Sequence, residues 1–493
     1  TSAAIDLATV LREQGRLEEA EAVLLPLANR DDAPSLALLG RMYREAGQLD
    51  AATAVLDRAI ATDPTFAAAY EEQALVVLAR PDPDFGAAEA LLRRSVEADP
   101  NRPGARIELG KLLANVLGRP GDAAEQFRAA VNLNQGDPLA YRELGETLLE
   151  SGAPEAAVES FRRALQLQPS SHEAHHGLAT AYLALGRFDA AETEERTALD
   201  LAGGNYTLSL VGLGDVARER ANYDEAIERY GEALDRDPAL VGAFLGLGKT
   251  AEARGNLDIA RGHYQRGLEA NPDNVLLLMA LGRVQLAGGD AERALATFER
   301  ARQLAPGNAA TSANIGQALW KSGRSEEALI QLEEAVQRNP ADAQSLLAIG
   351  EINASLDRRD AALAAYERAA AARKGWYEPH FRRGVLLLGA EQTGPAIEAL
   401  RMAVRLNDEF PQGHYWLGRG YRAAGSYGDA VRSLRRAVTL QPDYYEARFY
   451  LGRALDEQGD GAEAVATYSA LIAEAPAGDA WRVEAERELD RIR

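Results

Sequence analysis

Eight glycines, Gly214, Gly248, Gly282, Gly316, Gly350, Gly384, Gly418 and Gly452, recur every 34 residues through the second half of the chain. A series of alanines, Ala226, Ala260, Ala294, Ala328, Ala362, Ala396, Ala430 and Ala464, follows each glycine by 12 residues. Pro238, Pro272, Pro306, Pro340, Pro442 and Pro476 close most periods, and Lys374 and Asp408 occupy the two skipped beats. A period of this length holds two short helices and a turn. Such a pair cannot bury its apolar faces alone, so repetition implies that each unit stacks on its neighbours. The glycine and alanine series put a small residue on each helix where the two backbones must approach closely.

The clearest single unit runs from Pro138 to Pro169. Tyr141, Leu144, Gly145 and Leu148 share one helical face, and Gly152 is placed to stop that helix. Ala157, Phe161, Ala164 and Leu165 share a face of the second helix, which Pro169 ends. The first half keeps this pattern with slips: Pro81-Asp82-Pro83-Asp84 is inserted in an inter-helix turn, an extra residue falls near Pro120-Gly121, and Ala179 replaces the usual glycine. Gly203-Gly204 lengthens one connection and reads either as a hinge between halves or as a longer turn. Fourteen units and a last helix fill the chain. The expected segments are 1–204, six units with small insertions; 205–477, eight units in strict register; and 478–493, a polar capping helix with Trp481, Ala485, Leu489 and Ile492 on one face.

A 34-residue helix-turn-helix with Leu-Gly, a mid-helix aromatic or Leu, Ala, a further aromatic or Leu, Ala and Pro resembles the tetratricopeptide repeat. The resemblance covers nearly the whole chain. It implies an all-α, right-handed superhelical solenoid of antiparallel helix pairs whose first helices line a concave groove, and a chain that binds protein segments and carries no catalytic residues and no cofactor.

Composition narrows the partners. With 54 Lys plus Arg against 75 Asp plus Glu the net charge is −21, so the overall field repels phosphate backbones and nucleic acid is not an expected partner. No apolar run approaches the roughly 20 residues that span a bilayer, and a soluble chain is expected. Cysteine is absent, which excludes disulfides, thiolate metal sites and cysteine nucleophiles. Lysines number four, Lys111, Lys249, Lys321 and Lys374, and the remaining bases are arginine, a bias that suits a GC-rich bacterial genome. The start Thr1-Ser2-Ala3, with neither initiator Met nor a basic-plus-apolar signal, fits a mature or trimmed chain. An exported bacterial protein, periplasmic or at the cell surface, is the expectation, with the cytoplasm as the other location.

Several short motifs imitate chemistry. His172-Glu173-Ala174-His175-His176 spells a zinc-binding H-E-x-x-H, but Tyr445-Glu446-Ala447-Arg448-Phe449 and Tyr377-Glu378-Pro379-His380-Phe381 occupy the same slot elsewhere, and His175 falls where Tyr141 packs one unit earlier. No metal site is expected. Gly246-Leu247-Gly248-Lys249-Thr250 lacks the first glycine of a phosphate loop, because position 243 is Ala243, and lies inside a helix. Gly212-Leu213-Gly214 follows no strand. Asn205-Tyr206-Thr207 is a formal glycosylation sequon.

If the first helices line a groove, register assigns Phe381, Arg382, Tyr415, Trp416, Arg419, Arg422, Phe449, Tyr450 and Arg453 to it in the last units. Aromatic and Arg side chains are the types that anchor interfaces, and Arg419 and Arg453 form a ladder one repeat apart in an acidic protein. In the central units the same positions are apolar, Leu208, Val211, Leu245, Leu276, Met279 and Leu347, with Arg283 and Gln317 nearby. Packing between adjacent repeats competes with groove lining for all of these. The family's clamp for C-terminal carboxylates needs Lys and Asn at fixed positions, and Lys249 is followed here by Glu252, so that specificity is not carried over. The leading expectation is a non-enzymatic scaffold holding a peptide or helical segment of a partner. The alternative is a structural subunit that self-associates into a filament or a cell-surface or export assembly.

Overall fold

Several first helices begin where a short polar side chain caps them. Asp137 accepts from the Leu139 and Ala140 N–H groups at 3.0 and 3.2 Å, with Pro138 in the first turn. Asn274 accepts from Leu277 N–H at 3.0 Å, and Asp342 from Ser345 N–H at 3.2 Å. Such caps satisfy orphan donors that a helix N-terminus otherwise leaves to water. In the computed structural model, which describes residues 2–492, this grammar yields 29 α-helices and one π-helical turn among the described residues, and no strand. Thr1 and Arg493, the outermost positions of the expected first and last segments, lie outside the described residues. No described helix is long and apolar enough to cross a membrane.

Most first helices are followed by a residue in the left-handed region. Gly152 has φ 74°, and its neighbour Ala153 N–H reaches back to Leu148 O at 2.8 Å. The same turn recurs at Ala221, Asp357 and Glu391, whose φ values of 60°, 56° and 60° are held by residues that carry a Cβ.

The helices group into two units, residues 1–250 and 251–493. In the first, Phe161 is fully buried between Gly145 of its own first helix and Gly177 of the next; a Cβ on either glycine would meet its ring carbons at 2.8 and 2.3 Å. Tyr230 sits in the same way against Gly214 and Gly246. One ring thus ties its own helix pair to the next, which is how a stack of marginal units becomes cooperative. Asp84 ends the Pro81 insert by capping helix Phe85–Ala98 through Ala87 N–H. The extra residue expected near Pro120-Gly121 is instead absorbed by the π turn Leu112–Val116, where Leu117 N–H bonds to Leu112 O at 3.1 Å. A wider turn takes up one residue without opening the backbone hydrogen bonds. Gly203 and Gly204 both have positive φ, and Gly204 N–H bonds to Leu199 O at 2.8 Å, so the pair closes helix Phe188–Leu201 as a hydrogen-bonded turn.

In the second unit the alanines at 260, 294, 328, 362, 396, 430 and 464 are all 0 % exposed. The glycine series faces a side chain as well as a backbone: Cβ atoms at Gly282, Gly350 and Gly452 would meet Phe298, Tyr366 and Tyr468 at 2.4, 2.4 and 2.5 Å. At Gly316 and Gly418 the carbonyls of Ala328 and Ala430 also come within 3.2 Å. Helix Ala480–Ile492 buries Ala485 and Leu489 on the last pair and sets Trp481 against Phe449 at 5.3 Å between ring centroids.

Candidate functional site

Helices Pro411–Ala423 and Tyr445–Gln458 are consecutive first helices, and their register sets Trp416 and Tyr450 on either side of Arg419. The Arg419 guanidinium carbon lies 4.6 Å from the Trp416 ring centroid and 4.9 Å from that of Tyr450. Its Nη1 donates to the Tyr415 hydroxyl at 3.2 Å, and that hydroxyl donates to Glu446 at 2.6 Å. Burial, reinforced by Glu446, pushes the Tyr415 hydroxyl well above its usual range, so it stays a neutral donor. Arg422 donates to Glu457 at 2.8 Å, and Arg453 lies 4.0 Å from the same carboxylate. Among the described residues no carboxylate is within ion-pair distance of Arg419. It is a partly exposed cation, stacked on two aromatic faces and lacking a counter-charge.

The other expected groove residues divide by burial. Phe381, Tyr415 and Phe449 are 8 %, 1 % and 5 % exposed and belong to the core, with Phe381 edge-on to Phe410 at 4.9 Å. Met279 is likewise buried, its Sδ accepting from the Thr311 hydroxyl at 3.5 Å. These four side chains support the first-helix face from beneath, because a position one step along the helix from the exposed face points into the next repeat. Trp416, Arg419, Arg422, Tyr450, Arg453 and Leu245 are partly exposed, and Arg382 is exposed but already engaged by Glu351 and Glu378 at 3.1 and 3.0 Å. Of the central apolar positions, Leu208 and Leu276 are exposed, whereas Leu347 is buried.

The H-E-x-x-H stretch forms the start of helix His172–Ala184. His172 stacks edge-on against Tyr206 at 4.7 Å, His175 Nδ1 meets Glu194 at 2.6 Å, and His176 Nδ1 meets Glu195 at 2.9 Å. No group of three potential ligands among the described residues could hold a metal ion. Burial and the charges of Glu173 and Glu195 push the Tyr206 hydroxyl up to about 12. Gly246 and Thr250 lie inside helix Val241–Ala253, Gly246 O accepting from the Thr250 hydroxyl at 2.7 Å, so no phosphate-cradling loop exists there.

Sequence reasoning missed Glu195, which holds the slot of Phe161 and Tyr230; comparing that slot across repeats would have found it. It also missed an arginine-rich crevice in the second unit, because its members come from three helices.

Models of the tetratricopeptide repeat match residues 37–103, 83–140, 116–172, 211–258, 245–309 and 417–479, a second such model matches 148–202 and 285–350, and a third 1–26. No curated protein matches the sequence. Among solved structures, the crystal structure of the APC/C hetero-tetramer Cut9-Hcn1 is similar at 16 % identity and a TM-score of 0.43, over 91 % of this chain and 95 % of that one. Yeast Tom70 is similar at 14 % identity and a TM-score of 0.39, over 79 % and 95 % of the two chains. With the repeat models covering more than half of its length and the helix pairs recurring on the 34-residue beat, the chain belongs to the tetratricopeptide repeat family.

Proposed function

We propose that the chain is a non-enzymatic protein-interaction scaffold that holds a peptide or helical segment of a partner along its first-helix groove, with the Arg419 cluster as an anchor. Repeats of this family generally serve as scaffolds and not as catalysts, which supports the class. Arg419 supports the place. A guanidinium held over Trp416 and Tyr450, with Nη1 donating to the Tyr415 hydroxyl, has already given up rotamer freedom and keeps further N–H donors for a ligand. A carboxylate from a partner then gains a bidentate partner at little ordering cost, while the aromatic faces offer apolar contact to its neighbours.

The test is affinity capture from a lysate with the wild-type chain and with an Arg419→Glu, Arg453→Glu variant, reading co-purifying proteins by mass spectrometry. The variant is expected to lose partners that the wild type retains. Equal capture by both removes the groove reading.

A further inference from the structure

Where the second helix of one repeat meets both helices of the next, a crevice opens between them, and two such crevices three repeats apart act as controls for each other. The upstream one holds about 250 Å³. Its charges are neutralised within it: Arg302 pairs with Glu299, and Arg324 pairs with Glu327 at 2.6 Å. The downstream one, between helices Thr393–Leu406, Pro411–Ala423 and Tyr427–Leu440, holds about 540 Å³.

In the same register, Glu299 is replaced by Arg401, Ile330 by Arg432, Glu334 by Arg436 and Gln303 by Arg405. Four arginines therefore line the downstream cavity against two aspartates. Asp429 takes Arg432, and Asp408 takes Arg436 at 2.6 Å. The buried His414 pins the turn through the Asp408 carbonyl at 2.9 Å. Arg401 and Arg405 have no carboxylate within ion-pair distance among the described residues, although they sit at i, i+4 on one helix, where like charges are unfavourable. An otherwise acidic chain thus gathers positive charge along one open crevice, where Arg401 and Arg405 are exposed and, among the described residues, have no counter-ion.

We infer that this crevice is a binding site for a small, multiply charged oxyanion, with Arg401 and Arg405 as its bidentate donors and Arg432 and Arg436 supplying the surrounding field. Val404, Leu417 and Tyr421 give the cavity an apolar lining beside the charges. Phosphoryl and carboxylate ligands share this chemistry, and the probes separate them.

Isothermal titration of the full chain with sodium pyrophosphate and, separately, with sodium citrate at fixed ionic strength reads the site. Saturable binding of at least one probe is expected, weakened about tenfold or more by Arg401→Gln with Arg405→Gln. Ser433→Glu, which adds a carboxylate to the cavity while leaving every arginine, is expected to abolish the same binding. Arg419→Glu should leave it intact, so failure here is distinguishable from failure of the groove. Lack of saturable binding by both probes overturns the inference, as does wild-type affinity in the Arg401→Gln, Arg405→Gln variant.

Discussion

Glu195 and His176 form an ion pair inside the repeat packing: His176 Nδ1 lies 2.9 and 3.1 Å from the two carboxylate oxygens, and Glu195 is 2 % exposed. The slot that Glu195 fills is taken by Phe127, Phe161, Tyr230, Phe298 and Leu332 in other repeats, each 0 % exposed. Gly212 makes the room, since a Cβ there would stand 2.0 Å from Glu195 Oε1. His176 borders a cavity of about 460 Å³ lined in part by Arg142, Glu146, Tyr206 and Leu208.

This pair makes stability fall with rising pH. Burial alone would lower the His176 pKa, but the hydrogen bond and charge of Glu195, helped by Glu146 and Asp215, outweigh it and hold it above the ordinary value. Burial raises Glu195, only partly offset by His176. Both groups keep protons in the folded chain that the unfolded chain releases. The His176 contribution is complete below its unfolded pKa of about 6.5 and is lost as pH climbs through the folded one; that of Glu195 behaves alike from about 4.3 upward. Urea midpoints from pH 5 to 9 should show the wild type losing ground against a Glu195→Leu, His176→Leu variant. A pH-independent gap between the two contradicts this account.

Removing one partner differs from removing both. His176→Leu alone leaves a buried carboxylate without its cation and should cost about 3–5 kcal/mol, whereas the double variant should be neutral or up to about 4 kcal/mol more stable near pH 8. Equilibrium unfolding of the single and double variants decides this.

At the groove, Arg419→Lys keeps the charge but loses the planar fork and the stacking on Trp416 and Tyr450. Partner capture should fall nearly as far as in Arg419→Glu, while the unfolding free energy changes by less than about 2 kcal/mol. Capture at the wild-type level by Arg419→Lys would show that charge alone suffices.

Three first helices end on left-handed residues with a Cβ, Ala221, Asp357 and Glu391. Glycine occupies this turn at Gly152, Gly255 and Gly425. Glu391→Gly and Asp357→Gly should each stabilise the chain by about 0.5–1 kcal/mol, because relief of the left-handed strain exceeds the added entropy of the unfolded chain. A thermal melt shifted downward by both would refute the strain argument.

Gly282→Ala should destabilise by about 1–3 kcal/mol, since its Cβ would meet the Phe298 ring at 2.4 Å. Against Phe298→Ala, which removes the ring, Gly282→Ala should cost less than it does in the wild type. A double-mutant cycle by urea denaturation measures the coupling, and strict additivity would mean that the two do not share the slot.

Periodicity was enough to specify helix pairs, their turns and their family. Gly282, Ala294 and Phe298 recur at fixed offsets because each repeat must solve the same packing problem against an identical neighbour. The extra residue near Pro120-Gly121 was misplaced because a π turn conceals an insertion within a helix that keeps its hydrogen bonds. Burial separated what spacing had grouped: Phe381, Tyr415 and Phe449 went to the core while Trp416, Arg419 and Tyr450 stayed accessible. The reason is angular, since neighbouring helix positions differ by about 100° and a one-step change turns a surface side chain inward.

The chain's order of residues thus determined its class, its repeat length and the face on which a partner segment is expected, all properties of patterns within one unit. Which cation is left without a counter-charge was decided by tertiary structure. Arg419 and Arg422 lie on one helix, yet Glu457, 35 residues beyond Arg422, neutralises one and not the other. Likewise, among the described residues, Arg401 and Arg405 find no acid where Arg302 finds Glu299. Electrostatic balance depends on distances of a few ångström between neighbouring repeats, where attraction between charges falls off with separation and with solvent, and no one-dimensional pattern contains those distances.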